Sequence, residues 1–436
     1  DPRGGQARAA ARGLAARFHA HPEGGAAARV LAERRRLDLP LRERMPAGGV
    51  FFESFYGRQV GCNPLALDRA IAERHPGLPR YWSVASERIA VPEWAAPVLV
   101  GGPDWFAARR QARLLVVNDW LRHRFRRRRG QTVLQTWHGT MLKHLALGRP
   151  DVGLRTRIAI VRESRRWSLL LSQNPHSTEQ FRRSYAFRGE ILETGYPRDD
   201  RLARAVVPSE HGPEHAPERI PFAVEAARRA LGVPEGARVL AYAPTWREDA
   251  FASRGTATGI VDPLDVRALA RELGAGWAIV ARGHSRTQGL GSYAVAGVDD
   301  PAAGGIGDAS GHPEVKDVIL AADLFVTDYS SVMFDAAVAR VPLAFFVPDL
   351  AAYRDRERGF TFDFEAPAPG PLIADRSEVL ACARALDRDG PEARWMREAA
   401  PAYAEWCARF APHDDGWASE RVVAALEERG ALPPAE

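Results

Sequence analysis

Short apolar segments alternate with segments of helical spacing along most of this 436-residue chain, and this alternation constrains the fold more than any other feature. Turn residues bound each apolar segment, and each is shorter than an ordinary buried helix. Strands that are separated by helices run parallel, and a parallel sheet is covered on both faces. The first series of predicted strands comprises residues 50–54, 81–85, 98–100, 114–118, 132–136, 169–172 and 191–194. The second series comprises residues 239–243, 277–281, 294–298, 324–327 and 343–347.

Helices are predicted between these strands and beyond them. They comprise residues 65–74, 178–185, 223–231, 263–273, 315–322, 332–339, 378–386 and 417–429. The sequence therefore predicts the α/β class, with two doubly wound, Rossmann-like domains that face a central cleft. Ligands of such sheets bind beyond the carboxyl ends of the strands, so the site is expected there.

Shifts in composition give the predicted domain limits. Residues 205–221 contain four prolines and few large apolar side chains, which is typical of a linker. This linker separates an N-terminal domain at 49–204 from a C-terminal domain at 222–390. Residues 1–48, rich in Ala, Arg and Gly, are predicted to form a helical lead-in, and residues 391–436 a C-terminal helical tail.

The composition excludes several classes of protein. With 46% hydrophobic residues, the chain can bury large cores, which excludes disorder. Cys62, Cys382 and Cys407 show no CxxC spacing, so we expect neither a disulfide framework nor a zinc site. So few cysteines are typical of a protein in a reducing compartment. No apolar run approaches the roughly 18–20 residues that cross a bilayer, and no signal peptide is evident. Because the sequence starts at Asp1 without a methionine, we expect it to be a piece of a longer polypeptide.

The net charge of +5 conceals an asymmetry, since the first 200 residues hold 35 basic and 19 acidic side chains. A basic half indicates an anionic partner, namely a phosphate polymer, an anionic lipid or nucleic acid. Arginines are concentrated in residues 121–129 and 155–167, and the second segment is amphipathic. Such a segment can lie on an anionic membrane surface, and a solvated helix face is the alternative. Nucleic acid is not expected, because aromatic residues do not interleave with the arginines.

Residues 324–335 (LFVTDYSSVMFD) combine a strand with a cluster of polar side chains. The strand ends in Thr327 and Asp328, and Ser330 and Ser331 then begin a helix. A helix N-terminus offers unpaired N–H groups, so hydroxyls there can help to hold a phosphate. One of the serines could instead cap the helix, and the two functions are compatible.

Residues 132–143 (TVLQTWHGTMLK) place a histidine at the end of another strand. The strand runs into His138 and Gly139, after which we expect a helix. Gly139 permits a tight turn at this point. Histidine is well suited to take a proton from a hydroxyl near neutral pH, which makes His138 a candidate general base. A histidine that satisfies local backbone groups is the alternative.

Two more strands of the second domain end in polar residues. Arg282, His284 and Arg286 follow one strand, and Thr245 and Arg247 follow another. Cations at the carboxyl end of a strand suit a phosphate or pyrophosphate, although a solvated surface cluster has the same composition. The sequence has no GxxxxGK[ST] loop, no GxGxxG after a strand, no GxSxG and no HExxH. No cluster has metal-ligand spacing, so no metal is expected.

Seven segments, in this order, resemble the motifs of the CDP-glycerol glycerophosphotransferase family, whose best-known members are teichoic acid polymerases. They are FESFYGRQVGCNP (52–64), QTWHGTMLKHL (135–145), ETGYPRDD (193–200), YAPTWRED (242–249), RGHSRT (282–287), TDYSSVMFD (327–335) and YRDRERGF (353–360). The resemblance implies the GT-B fold and transfer of glycerol phosphate from CDP-glycerol, or of a related unit from another CDP-polyol, with release of CMP. The implied acceptor is a hydroxyl of a teichoic-acid-like or capsular cell-surface polymer, or of its lipid-linked primer. The implied location is peripheral, on the cytoplasmic face of the bacterial plasma membrane, and no cofactor is implied.

The resemblance also implies roles for individual residues. His138 would be the catalytic base, and His284 would stabilise the charge that develops as CMP leaves. The implied donor-binding residues are Thr245, Arg247, Arg282, Thr327, Asp328, Ser330 and Ser331. The implied acceptor or cleft residues are Ser54, Gly139, Thr140, Lys143 and Arg198.

Two positions depart from the family pattern. Asp199 stands where the family usually has Asn, and Met141 where Pro is common, and both changes could alter the acceptor or the polyol. Two other functions stay open on the residues alone. One is a GT-B glycosyltransferase that uses a nucleotide sugar, and the other is a basic, non-enzymatic module that binds anionic lipid or nucleic acid.

Overall fold

The computed structural model describes residues 48–123, 125–207, 218–245, 263–283, 305–357 and 359–434. The predicted lead-in at 1–48, apart from Gly48, and the predicted strand at 294–298 lie outside the described residues.

Seven parallel strands form the sheet of the N-terminal lobe, in the order β3-β2-β1-β4-β5-β6-β7. They are β1 (Val50–Glu53), β2 (Arg80–Val84), β3 (Ala96–Leu99), β4 (Leu114–Val117), β5 (Thr132–Gln135), β6 (Leu169–Ser172) and β7 (Glu190–Glu193). All seven predicted strands of the first series are confirmed, with ends that shift by at most two residues. The chain adds β2 and β3 on one side of β1 and then adds β4 to β7 on the other side. The strand order therefore switches between β1 and β4, and doubly wound sheets bind ligands at such a switch point.

Six parallel strands form the sheet of the C-terminal lobe, in the order β12-β11-β10-β13-β14-β15. They are β10 (Arg238–Ala243), β11 (Trp277–Ala281), β12 (Gly305–Asp308), β13 (Leu324–Thr327), β14 (Leu343–Phe346) and β15 (Leu372–Ile373). The predictions for β10, β11, β13 and β14 are confirmed, whereas the edge strands β12 and β15 were not predicted. The predicted linker contains the short antiparallel pair β8 (Val206–Val207) and β9 (Glu218–Arg219), and its residues 208–217 lie outside the described part of the chain.

Helices cover both faces of each sheet. They are α1 (Cys62–Arg74), α2 (Pro103–Gln111), α3 (Leu154–Ser164), α4 (Pro175–Ser184), α5 (Asp200–Arg204), α6 (Pro221–Ala230), α7 (Val266–Leu273), α8 (Val315–Ala321), α9 (Val332–Val338), α10 (Leu350–Ala352), α11 (Arg376–Asp389), α12 (Arg394–Phe410) and α13 (Ala418–Glu428). Each of the eight helices that were predicted with stated limits is confirmed, with ends that shift by a few residues. Of the helices that the structure describes, none has the length and apolar character that a bilayer crossing needs.

The helix expected after β5 is wrong, because residues 137–145 contain none. The segment instead turns at His138 and Gly139, and its later residues pair with the opposite lobe. Lys143 forms an antiparallel bridge with Phe360, and the Thr361 N–H donates to the Leu142 carbonyl oxygen at 2.8 Å. These long-range hydrogen bonds satisfy the backbone groups that a helix would have used.

The C-terminal tail ties the two lobes together. Trp406 and Phe410 of α12 lie in the core of the C-terminal lobe. Val422 and Leu426 of α13 instead share a core with Phe52 of β1, on one face of the N-terminal sheet. The chain therefore returns to the first lobe after completing the second, and the two Rossmann-like sheets form a GT-B-like architecture around the cleft between them.

Candidate active site

The carboxyl ends of strands from both lobes converge on a cavity of about 160 Å³ between the lobes. Phe55 and Arg198 line it from the N-terminal lobe, and Arg282, Lys316 and Ser330 line it from the C-terminal lobe. This is the position at which doubly wound sheets bind ligands. The structure therefore brings motifs that are far apart in the sequence to one site.

His138 is oriented by contacts on several sides. Its Nδ1 lies 2.8 Å from the carbonyl oxygen of Asn118, and its ring stacks on Trp137 with the Phe55 ring edge-on to it. A carbonyl oxygen only accepts hydrogen bonds, so Nδ1 carries the proton in the neutral imidazole. The lone pair is then on Nε2, which is the tautomer that a general base needs.

Asn118 anchors the loop that follows β1 against the histidine. Its side-chain oxygen accepts from the Phe55 N–H at 2.8 Å, and its side-chain nitrogen donates to the Ser54 hydroxyl at 3.1 Å. Ser54 is fully buried and donates in turn to the Gly61 carbonyl oxygen. Ser54, which sequence reasoning placed in the acceptor site or cleft, is thus positioned to hold this loop rather than to contact a ligand in the cavity.

The turn that carries His138 packs directly against the C-terminal lobe. Gly139 has a φ of +154°, and a Cβ built on it would lie 2.7 Å from the Ser331 hydroxyl oxygen. Only glycine permits this close approach. Thr140 is buried beneath the turn, where its hydroxyl donates to Gln173 at 2.6 Å and accepts from Asn174 at 2.8 Å.

Arg198 joins the two lobes at the base of the cavity. One guanidinium nitrogen donates to the His138 carbonyl oxygen at 2.8 Å, and another donates to Asp335 on α9 at 2.5 Å. The side chain is buried, and its Nε lies 3.7 Å from the Asp199 carboxylate. A bidentate guanidinium between a backbone carbonyl and a buried carboxylate fixes the distance between the elements that carry them.

Buried acidic groups surround this arginine. The amide of Gln173 donates to Asp199 at 3.3 Å and to Asp414 at 3.1 Å. Burial and the nearby charge of Asp335 raise the pKa of Asp199 well above its usual range, and the other oxygen of Asp199 has no hydrogen-bond partner among the described residues. Burial likewise raises the pKa of Asp414 to about 7. Asp199 and Asp414 therefore bind protons more tightly than exposed carboxyl groups do.

The end of β13 is held against the end of β10. Thr327 is fully buried, and its hydroxyl donates to the Ala243 carbonyl oxygen at 2.7 Å, so it supports this edge from beneath. Asp328 accepts from the Thr245 N–H at 2.8 Å, which fixes the start of the following loop. The Thr245 hydroxyl is buried without a hydrogen-bond partner among the described residues.

The serines at the start of α9 differ in their contacts. The Ser330 hydroxyl accepts a long bond from the Val332 N–H at 3.5 Å, and Ser330 lines the cavity. Ser331 is the N-cap residue of α9, but its side chain makes no capping hydrogen bond. Capping therefore accounts only weakly for these hydroxyls, and the Ser330 hydroxyl is the one at the cavity, whereas Ser331 packs against the Gly139 turn.

The described lining of the cavity is cationic. Arg198, Arg282 and Lys316 contribute to it, and no described lining residue is acidic. Arg282 also donates to the carbonyl oxygens of Ala309 and His312, both at 2.7 Å, so that it fixes the loop after β12. Three cations around a cavity without carboxylates suit a group that carries several negative charges, such as a diphosphate.

Sequence reasoning missed Asp335 and Lys316. Asp335 lies in the recognised segment 327–335, but nothing local shows that it pairs across the lobes. The composition does single out Lys316, because only Lys143 and Lys316 among the 60 basic residues are lysines. The Lys143 ammonium lies 5.3 Å from the centre of the Tyr353 ring, at the junction of the lobes. His284 and Arg247 lie outside the described residues.

Comparison with known proteins gives a consistent result. A family model described as CDP-glycerol:poly(glycerophosphate) glycerophosphotransferase matches residues 37–428. A teichoic acid poly(glycerol phosphate) polymerase of Bacillus subtilis (strain 168) is 34% identical over 395 residues, which cover 88% of this chain and 49% of that protein. The chain thus spans about half the length of that relative. A teichoic acid glycerol-phosphate transferase of Staphylococcus aureus (strain NCTC 8325 / PS 47) is 32% identical over 390 residues, which cover 86% of this chain and 92% of that protein. The solved structure of the wall teichoic acid polymerase TagF superposes with a TM-score of 0.76 at 26% identity, covering 89% of this chain and 90% of that chain.

Proposed function

Because this chain belongs to the CDP-glycerol:poly(glycerophosphate) glycerophosphotransferase family, we propose that it transfers glycerol phosphate from CDP-glycerol to a hydroxyl and releases CMP. The proposed acceptor is a teichoic-acid-like polymer or its lipid-linked primer. One observation carries the proposal, namely that the His138 turn and a cavity lined by three cations meet at the junction of the lobes. A base and a diphosphate site are the two parts that such a transfer requires.

The proposed reaction is an attack on phosphorus. The acceptor hydroxyl oxygen attacks the phosphorus that bears the glycerol, and the bond from that phosphorus to the bridging oxygen of the diphosphate breaks. CMP leaves with the bridging oxygen, and the hydroxyl proton passes to Nε2 of His138. The Asn118 carbonyl accepts from Nδ1–H, so it supports the imidazolium that forms.

Fixed positive charge would stabilise the departing CMP. Arg198 is buried and Arg282 half-buried at the cavity, and hydrogen bonds already hold both side chains, so they would need little rearrangement as the charge develops. The Ser330 hydroxyl, which lines the cavity, is a suitable donor to the phosphate oxygens. On the family resemblance, His284 and Arg247 would complete this side of the site.

We also propose that the chain attaches peripherally to an anionic membrane surface through the N-terminal lobe. Leu154 and Ile158 lie one turn apart on α3 and are 74% and 51% exposed. Arginines at 155, 157, 162 and 165 surround them, and residues 126–129 add four exposed arginines. Exposed apolar side chains within a field of arginines suit the boundary between headgroups and acyl chains.

The transfer is tested by measuring CMP release from CDP-glycerol in the presence of a glycerol-phosphate-primed acceptor. CDP-ribitol and a UDP-sugar serve as alternative donors. We expect CMP and a lengthened product with CDP-glycerol, and little turnover of the UDP-sugar. Sugar transfer without CMP release would instead support a GT-B glycosyltransferase that uses nucleotide sugars, and would overturn the proposal.

A further inference from the structure

We propose that Lys316 is a binding residue for the donor diphosphate, held in place by Glu314 until the donor arrives. This inference rests on the proposed function and adds a residue to the same site. Lys316 lies in the first turn of α8, and Arg198 and Arg282 line the same cavity. The ammonium donates to Glu314 at 3.0 Å.

The composition of the chain makes a lysine at this position informative. Of its 60 basic residues, 58 are arginines, so an arginine occupies almost every position where a positive charge suffices. Lys316 is only 7% exposed. An ammonium is a compact point charge on a flexible stem, whereas a guanidinium is a larger, rigid fork. A buried position that keeps lysine in this chain therefore calls for a small cation that can move.

Lys316 stands where two cavities adjoin. It lines the cavity between the lobes and also a second crevice of about 160 Å³, whose rim includes Arg69, Arg201 and Arg204. Cys62 and Arg198 are the other described residues that line both spaces. Because Lys316 lines both spaces and its stem is flexible, the proposal has the ammonium turn from Glu314 toward the cavity between the lobes.

Glu314 has a second partner if Lys316 turns away. Its other carboxylate oxygen lies 3.8 Å from Arg69, which belongs to α1 of the opposite lobe. Burial alone would raise the pKa of Glu314, but Lys316 and Arg69 hold it below its ordinary value, so the carboxylate stays charged. A phosphate that takes the ammonium therefore leaves this half-buried carboxylate with Arg69 nearby, and an unpaired carboxylate there would be unfavourable.

Two substitutions with opposite expected effects test whether the Lys316 ammonium moves from Glu314 to the diphosphate. Binding of CDP-glycerol and of CMP is measured by titration calorimetry on the intact chain. We expect Lys316→Gln to weaken binding of CDP-glycerol about tenfold or more, and to weaken binding of CMP less, because CMP lacks the diphosphate. Glu314→Gln removes the competing carboxylate, so it should tighten binding of CDP-glycerol several-fold.

Two controls separate the inference from other effects. Arg204→Gln removes the same charge from the second crevice alone and should leave the affinity unchanged. Lys316→Arg keeps the charge and should still weaken binding, and melting temperatures establish that each variant folds. Unchanged affinity in Lys316→Gln, or weaker binding in Glu314→Gln, would overturn this inference and leave the proposed function intact. Failure of the unmodified chain to bind CDP-glycerol would overturn the proposed function.

Discussion

Gly139 of the N-terminal lobe and Ser331 of the C-terminal lobe approach so closely that a Cβ on Gly139 would lie 2.7 Å from the Ser331 hydroxyl oxygen. Gly139 follows the proposed catalytic base, and Ser331 begins the helix that follows the proposed donor edge. The contact therefore sets the distance between the two halves of the site. Any side chain at position 139 must separate them.

Gly139→Ala should reduce the rate of transfer more than it reduces stability. The added methyl group displaces the His138 turn from Ser331, and overpacking of this kind costs roughly 1–3 kcal/mol. A shift of about 1 Å in a reacting group lowers rates about a hundredfold. CMP release and the melting temperature are measured together. Gly77→Ala is the matched control, because a Cβ there meets nothing within 4 Å, and it should behave like the unmodified chain.

His138→Ala should abolish CMP release and leave the affinity for CDP-glycerol largely intact. Loss of a general base lowers rates by about 10²–10⁴-fold, whereas the donor is held by the cations of the cavity. His413→Gln is the control, since that histidine contacts only Glu193 among the described carboxylates and lies away from the cavity. Full turnover by His138→Ala would show that His138 is not the general base.

Asp335→Asn should destabilise the protein by roughly 3 kcal/mol, because it leaves the buried Arg198 without its carboxylate. The transfer rate should fall as well, since Arg198 also holds the His138 carbonyl. Chemical denaturation measures the free energy of unfolding. In contrast, Glu398→Gln breaks the exposed pair with Arg394 and should leave the free energy of unfolding nearly unchanged. Equal effects of the two substitutions would contradict the role given to the ion pair of Arg198 and Asp335.

The stability that Asp199 contributes to the folded protein should fall as the pH rises above about 4. The pKa of Asp199 is raised in the folded protein, so the folded state binds more protons than the unfolded state between the ordinary pKa of aspartate and the raised value. Stability from this group is complete below the unfolded-state pKa and is lost as the pH passes through the folded-state pKa. Asp414, with a pKa of about 7, acts with the same sign.

Asp199→Asn should therefore flatten the decline in melting temperature between pH 5 and pH 8. Asparagine keeps the shape of the side chain and does not titrate. Asp415→Asn is the control, because that exposed carboxyl has a lowered pKa and titrates below pH 5 in both states. An unchanged slope in Asp199→Asn would show that this carboxyl is already ionised in the folded protein.

Leu154→Ser combined with Ile158→Ser should weaken binding to anionic vesicles while leaving CMP release from a soluble primer intact. The two side chains supply the exposed apolar surface of α3, and the surrounding arginines supply the attraction to anionic lipid. Sedimentation with vesicles of phosphatidylglycerol measures the binding, with phosphatidylcholine vesicles as the control. Binding should weaken as salt rises. Salt-insensitive binding, or equal binding of the variant, would count against this surface.

The confirmed strands were predictable because each is a short, largely apolar run between turns. β6 (Leu169–Ser172), β11 (Trp277–Ala281) and β13 (Leu324–Thr327) match the predicted limits, and every residue in them is buried. β12 (Gly305–Asp308) escaped notice because its sequence, GIGD, has one apolar side chain and two glycines. Its strand conformation comes from pairing with β11, which no local pattern reveals.

The helix expected after His138 failed for a related reason. Leu142 and Lys143 pair with Thr361 and Phe360, which follow more than 200 residues later in the chain. Local propensity carries no information on such a contact, and here tertiary hydrogen bonds override it.

The site was predictable at the level of segments and less so at the level of side chains. The positions of the strand ends and the family resemblance predicted that His138 and Arg198 lie near the cavity. They did not distinguish polar residues that face the cavity from those that face inward, such as Ser54 and Thr327, which are fully buried. Which way a side chain points at the end of a strand depends on the packing of its neighbours, and only the structure provides that.

The central claim is that a diphosphate in the cavity between the lobes faces the His138 turn, and a crystal structure of the His138→Ala variant with CDP-glycerol tests it most directly. The account predicts the diphosphate within hydrogen-bonding distance of Arg198, Arg282 and Lys316, with the glycerol-bearing phosphorus turned toward position 138. A diphosphate bound outside this cavity, or with that phosphorus turned away from position 138, would contradict it.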